Sequence, residues 1–202
     1  MQGLDPERTE RPRAVGTAQS ESTSDLRLIA LVGRGDRQAF DELYRKYRTR
    51  LVRFLSNVVR QPQIVEEVLD DTLMVVWERA ADFKGESKLS TWIFAIAYRK
   101  AMRALRRLDE PVEDLRAETR HSPDAGPDEE WGRKRLHEVI RSAMLKLSPE
   151  HCAVVDLTYY HELGYREIAE ILDCPVDTVK TRMFYARRHL KRHLEGELPD
   201  WV

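Results

Sequence analysis

The chain has 202 residues, 34% of them charged, with a formal net charge of −1. That length allows one or two domains with small cores of their own. Cys152 and Cys174 lie far apart and outside any CxxC pattern, which excludes a disulfide framework and fits a reducing cytosol. No apolar run approaches the ~18–20 residues of a membrane span, so no membrane insertion is expected. The near-neutral total hides segregation: Leu89 to Arg107 carries five basic residues and no acidic one, Leu108 to Glu130 reverses the balance, and Val176 to His193 is basic again.

In chain order, MQGLDPERTERPRAVGTAQSESTSD has no apolar core, so it is not a secretory signal and is expected to be a disordered, solvated tail over residues 1–24. A short helix is expected near Leu26–Val32, ended by Gly33–Gly35, with Asp36 as the N-cap of the next helix. Phe40, Leu43, Tyr44, Tyr47, Leu51, Leu55 and Val58 recur in steps of three and four and mark one face of that helix, which Pro62 stops. A further helix over about Gln63–Ala81 places Val65, Val68, Leu69, Thr72, Leu73 and Val76 inward. Lys84-Gly85-Glu86-Ser87 reads as a loop. Ser90 or Thr91 is the expected cap of a helix ending near Arg107.

Asp109 to Glu130 holds Pro111, Pro123, Gly126 and Pro127, with nine acidic residues against Arg116 and Arg120. It is too poor in apolar residues for a core and reads as an extended linker. Periodicity returns with Trp131, Leu136, Val139, Ile140, Ala143, Met144 and Leu147. Ser148-Pro149 restarts a helix with a capping hydroxyl and a proline at the first helical position. Gly164 breaks it. Two helices follow, Tyr165–Leu172 and Pro175–Leu194, parted only by Asp173-Cys174.

That last pair is the sharpest functional signal. Ile168, Ala169 and Leu172 face inward from the first helix, Val179 and Met183 from the second, and the small Ala169 lets them cross closely. The second helix exposes Lys180, Thr181, Arg182, Phe184, Tyr185, Arg187 and Arg188. Such a helix fits the major groove, early residues on base edges and later cations on phosphates. The blander alternative is a solvated basic face. A second constellation, Trp92 to Arg107, clusters aromatics at its start and cations at its end, a mixture that holds single-stranded nucleic acid. Trp92, Phe94 and Ile96 read as core, leaving the cations and the preceding loop to touch DNA. Third, Glu66, Glu67, Asp70 and Asp71 repeat on an outward helix face, either as a solvated surface or as a docking surface for a basic partner.

GDRQAFDELYRKYRTRLVRFL, VEEVLDDTLMVVWERAADFKG and STWIFAIAYRKAMRALRR, in that order, resemble the successive parts of sigma region 2, and LSPEHCAVVDLTYYHELGYREIAEILDCPVDTVKTRMFYARRHL resembles region 4. The resemblance covers about Leu26–Leu108 and Trp131–Leu194. With no region 1.1 and no folded region 3 between them, it is to the extracytoplasmic-function (ECF) sigma factors of the sigma-70 family. It implies an all-α fold of two small helical domains, region 2 and a helix-turn-helix region 4, joined by an acidic flexible linker. The expected boundaries are a tail at 1–24, region 2 at 25–108, the linker at 109–130, region 4 at 131–195 and a C-terminal tail at 196–202.

The resemblance also implies roles. Glu67, Asp70 and Asp71 are placed on the clamp helices of the polymerase β′ subunit, and the β flap is implied as a second contact on core RNA polymerase. Phe83, Lys84, Ser87, Lys88, Arg99, Lys100, Arg103 and Arg106 are placed at the −10 element. Lys180, Thr181, Arg182, Phe184, Tyr185, Arg187 and Arg188 are placed at the −35 element. The linker is placed toward the polymerase cleft, and a cytoplasmic, stress-responsive protein controlled by an anti-sigma factor is implied. The chain departs from the family pattern in Glu67-Val68-Leu69-Asp70-Asp71, more acidic than the usual Asp-Leu-Val-Gln-Glu. It departs also in Gly164, where a capping Ser is frequent, and in Tyr185, where an Arg is frequent.

No GxxxxGK[ST], GxGxxG or HExxH is present. His151, Cys152, His161 and Cys174 fit no usual zinc spacing, so neither metal nor cofactor is expected. The acidic residues avoid apolar runs that would tune one for catalysis, which argues against an enzyme such as a nuclease. An autonomous helix-turn-helix repressor or activator is the alternative; it requires a dimerisation or ligand-binding domain, and the N-terminal half shows no heptad seam.

Overall fold

A computed structural model describes residues 15–109 and 138–197 of the chain. Among these residues every regular element is a helix. The expected linker, apart from Asp109, and most of the expected tails lie outside them.

The N-terminal unit holds α1 (Val15–Val32), α2 (Arg37–Val58), α3 (Pro62–Arg79) with a 3₁₀ turn at Ala80–Asp82, and α4 (Leu89–Asp109). α1 begins well before Leu26, so residues 15–24 are helical rather than a tail. Leu28, Ile29 and Val32 anchor its last turns in the core. Upstream of them, back to Thr17, no proline or glycine stops propagation, which costs little once a helix is nucleated. Asp25 pins α1 to α2, accepting from Lys46 Nζ at 2.7 Å and Tyr47 OH at 2.9 Å.

Asp36 caps α2 as expected, its Oδ1 accepting from the N–H groups of Gln38 and Ala39 at 2.9 and 3.1 Å. The buried stripe of α2 runs Ala39, Leu43, Tyr47, Leu51, Phe54, Leu55 and Val58. Gly33 lies where a Cβ would stand 2.9 Å from the backbone N of Ala81, so only glycine lets α1 approach the 3₁₀ turn. The six positions expected to face inward on α3 are its buried residues. Neither Ser90 nor Thr91 caps α4: the helix starts at Leu89, Trp92 N–H donates to the Lys88 carbonyl at 3.1 Å, and Thr91 is buried without a hydrogen bond for its hydroxyl. Burial of Leu89 draws the first turn inward and carries both hydroxyls past the cap position.

The C-terminal unit holds α5 (residues 138–145), α6 (Pro149–Tyr159), α7 (Tyr165–Leu172) and α8 (Val176–Glu197). Ser148 Oγ accepts from His151 N–H at 3.3 Å, with Pro149 at the first helical position. At α7 the cap that Gly164 cannot provide is supplied from the other side: Gly164 N–H donates to Glu167 Oε2 at 3.1 Å, one half of a capping box. Asp173 closes α7 in the left-handed region at φ 50°.

The two units pack on each other, α2 against α6 and α4 against α7. Their buried residues form one continuous apolar cluster rather than two separate cores.

Candidate nucleic-acid interface

Three surfaces carry the residues singled out from the sequence. The first is α8. Val179, Met183 and Ala186 are buried on its inner side, facing a turn held by Cys174 N–H to the Ala169 carbonyl at 3.1 Å. Lys180, Thr181, Phe184, Tyr185, Arg187 and Arg188 are exposed together on the outer side. Phe184 is 62% exposed and Tyr185 48%, with their rings edge-to-face at 5.5 Å. Two adjacent large aromatics held in water on a basic helix fit contact with a partner better than packing. Lys180 Nζ lies 2.9 Å from Asp177 Oδ1, and Thr181 Oγ1 donates to the Asp177 carbonyl.

Arg182 departs from the expected row. It follows the buried Val179 by three positions and so shares its side of the helix. Its guanidinium is half-buried, 3.8 Å from Cys174 Sγ and beside Tyr98 of α4. Burial pushes the Tyr98 phenol up from its ordinary value, and Arg182 opposes that shift. Sequence reasoning missed Tyr159, whose hydroxyl accepts from Arg187 Nε at 2.9 Å while its ring lies under the same guanidinium. The residue closes α6, outside the helix-turn-helix pattern. An exposed aromatic at a helix end was the available signal.

The second surface is the loop before α4 and the outer face of that helix. Phe83 is half-buried, its ring 5.2 Å from that of Trp92. Lys84 and Lys88 are exposed, Ser87 half-buried, and Gly85 turns the loop at φ +72°. Arg99, Arg103 and Arg106 form one exposed row at helical spacing. A groove of about 390 Å³ runs beneath Arg99, Lys100 and Arg103, bounded by Trp92, Ile96 and the α3 residues Val75 and Glu78. Phe94 and Ile96 are core, as expected.

The third is the outward face of α3, where Glu66, Glu67, Asp70 and Asp71 are all exposed. Three pair within the chain: Asp71 with Lys100 at 2.9 Å, Glu67 with Arg107 at 3.4 Å and Glu66 with Arg48 at 3.8 Å. Pairs this exposed contribute about 0–1 kcal/mol each and yield readily to a competing partner. Asp70 instead edges an apolar groove of about 670 Å³ lined by Phe40, Tyr44, Met74 and Trp77. The apolar half of this surface was not legible in the sequence, because Phe40 and Tyr44 lie on the stripe that reads as core.

These surfaces fall within two matched families. Sigma-70 region 2 matches residues 43–110, and sigma-70 region 4 matches residues 137–190. The ECF RNA polymerase sigma-E factor of Haemophilus influenzae is 28% identical over 186 residues, covering 87% of this chain and 98% of the relative. The sigma-E factor of Escherichia coli is 27% identical over the same length, covering 87% and 97%. RNA polymerase sigma factor YlaC of Bacillus subtilis is 28% identical over 167 residues, covering 78% and 93%. Among solved structures, CnrH in complex with the cytosolic domain of CnrY aligns with a TM-score of 0.63 at 24% identity, covering 85% of this chain and 97% of CnrH. The sigma factor RpoE in complex with the anti-sigma factor NepR from Bartonella quintana aligns at 0.62 and 21%, covering 77% and 96%. Both structures share the fold described above.

Proposed function

This chain belongs to the sigma-70 family of RNA polymerase sigma factors, in its ECF group, and from that premise we propose that it directs core polymerase to its promoters through the three surfaces just described. α8 reads the −35 element: Lys180, Thr181, Phe184 and Tyr185 meet base edges, and Arg187 and Arg188 hold phosphate. The loop Phe83–Leu89 captures an unpaired −10 base, while Arg99, Arg103 and Arg106 track the strand's phosphates. The acidic face of α3, with its apolar groove, docks the β′ clamp helices, and the β flap takes the C-terminal unit.

The observation that carries this reading is the row on α8, where exposed aromatics and cations stand outward from a tightly turned helix pair. The protein so read works in the cytoplasm without catalysis of its own, and an anti-sigma factor restrains it, as NepR is bound to RpoE in the structure of that relative. The repressor alternative has no observation in its favour, since the N-terminal unit matches region 2 rather than a dimerisation domain. The test is reconstitution: core RNA polymerase should gain promoter-dependent initiation on a genomic promoter library when this chain is added. A chain that leaves core polymerase as unselective as before would overturn the reading.

A further inference from the structure

We propose that Tyr159 and Arg187 form one phosphate clamp on the −35 duplex, α6 supplying a hydroxyl and α8 a guanidinium to the same phosphodiester. The proposal deepens the sigma-factor reading and rests on it. It makes Tyr159 a DNA contact in its own right and gives Arg187 a task different from that of Arg188.

The pair stands at the rim of the contact between α6 and α8. Tyr159 follows the buried Val155 by four positions, and Arg187 follows the buried Met183 by four. Residues so spaced are neighbours on one helix edge, so both side chains emerge beside the packed strip, and both are exposed. Along α8, Arg187 lies three positions after Phe184 and seven after Lys180, in line with the row assigned to DNA.

The bond within the pair decides which donors are left for a ligand. Arg187 Nε donates to the Tyr159 hydroxyl at 2.9 Å, and the guanidinium carbon stands 5.6 Å from the centre of the tyrosine ring. A guanidinium carries five N–H donors in a planar fork, and a phenol carries one O–H donor besides its acceptor lone pairs. Committing Nε to the tyrosine leaves the end of the fork, with its two terminal nitrogens. Among the described residues Arg187 makes no ion pair, its terminal nitrogens have no hydrogen-bond partner, and the Tyr159 O–H has no acceptor. That donor set suits a phosphodiester, whose oxygens take a guanidinium fork and a hydroxyl together. Arg188 adds a further cation beside the pair, a setting that favours a polyanion.

Holding the arginine in advance also matters. An exposed arginine gives up rotamer freedom when it binds. Arg187, already fixed by a ring and a hydroxyl, has less to give up, whereas Arg188 has no partner among the described residues. Tyr160 supplies the contrast. Its ring is engaged by Arg53 of α2, so the same two residue types one position away make a pair off the α8 row.

The test uses holoenzyme assembled from core polymerase and the full chain as wild type, Tyr159→Phe, Arg187→Lys, the double variant and Tyr160→Phe. Affinity is measured for promoter fragments in which one −35 phosphate at a time is replaced by a neutral methylphosphonate. In wild type the clamped phosphate should cost on the order of 10-fold when neutralised, as loss of hydrogen bonds to a charged group does. Tyr159→Phe keeps the ring and removes only the hydroxyl. It should weaken binding to the unmodified promoter by roughly 5- to 10-fold and erase most of the penalty at that one phosphate. Its −35 sequence preference and salt slope should stay as in wild type, because neither a base contact nor a charge is lost. Arg187→Lys keeps the charge without the fork and should behave alike, with the double variant far from additive. Tyr160→Phe should match wild type. A Tyr159→Phe holoenzyme of wild-type affinity overturns the clamp, and so does one that loses affinity while every methylphosphonate costs what it costs in wild type, since the pair is then surface packing only. A wild-type chain that confers no promoter selectivity on core polymerase sinks the sigma-factor reading and the clamp with it; the clamp falls alone where wild type selects promoters and Tyr159→Phe changes nothing.

Discussion

Arg188 and Lys180 share one helix and one sign of charge, yet they sit at different places along its exposed row. Lys180 and Thr181 occupy its first turns, which the proposed reading sets against base edges. Alanine at either should relax −35 selectivity by roughly 1–3 kcal/mol between matched and scrambled duplexes. Alanine at Arg188 should weaken binding to both duplexes alike and lower the salt slope by about one unit. Equal losses on both duplexes for all three variants would reduce the helix to a basic face. Gly33 tests packing rather than contact. Gly33→Ala drives a methyl into the backbone of the 3₁₀ turn and should lower stability by about 1–3 kcal/mol, read as a lower urea midpoint. His151 adds a pH term. Burial chiefly holds its pKa below 6.5, with Arg182 and His189 in the same direction and Glu150 opposing. The unfolded chain therefore takes up a proton more readily than the folded one. The stability contributed by neutral His151 is present above about pH 6.5 and is lost as pH falls through the lower folded value. His151→Asn should show a shallower acid limb than wild type in denaturation midpoints across pH 5–8.

At the scale of elements, α3 and α4 form a pair whose charges answer each other, through Asp71–Lys100 and Glu67–Arg107. If the proposed docking holds, reversing Asp70 and Asp71 to Lys sets like charges against a basic clamp, which can cost several kcal/mol. Core binding should be lost while helix content stays, because both side chains lie outside the buried stripe of α3; normal core affinity in the double variant would remove the docking assignment. The loop ahead of α4 is separable from α8. Exchanging Phe83–Leu89 for the loop of another sigma factor should change −10 preference across a promoter library and leave −35 preference as it was, since a flipped base is read by a fitted pocket.

For the whole molecule, the packing of α2 on α6 and of α4 on α7 makes one body of two family regions. Amide exchange on the full chain should follow it. The amides of residues 144–161 should be slow in the free protein and faster once core polymerase is bound, while those of α2 and α3 remain slow. Equal protection in both states would mean that the units do not part on assembly.

The helices were legible because local signals agree with burial: Asp36 and Ser148-Pro149 start helices where they should, and the six inward positions of α3 are spaced at helical period. The outer row of α8 was legible for the same reason, except at Arg182, where the neighbouring unit turns a side chain that periodicity alone leaves at the edge of the exposed face. α1 was read too short because no large apolar residue lies between Val15 and Leu26, although propagation from a docked turn needs none. Which residues meet across the seam between the two units was invisible in sequence. Arg60 and Asn57 carry no signal of a partner, Phe54 falls beside the marked stripe of α2, and His161 stands out only among candidates whose spacing fits no usual zinc site. Their partners lie between 84 and 99 positions away for the hydrogen bonds of Arg60 and Asn57. Periodicity reports which face of an element avoids water; which other face covers it is decided only when distant segments meet.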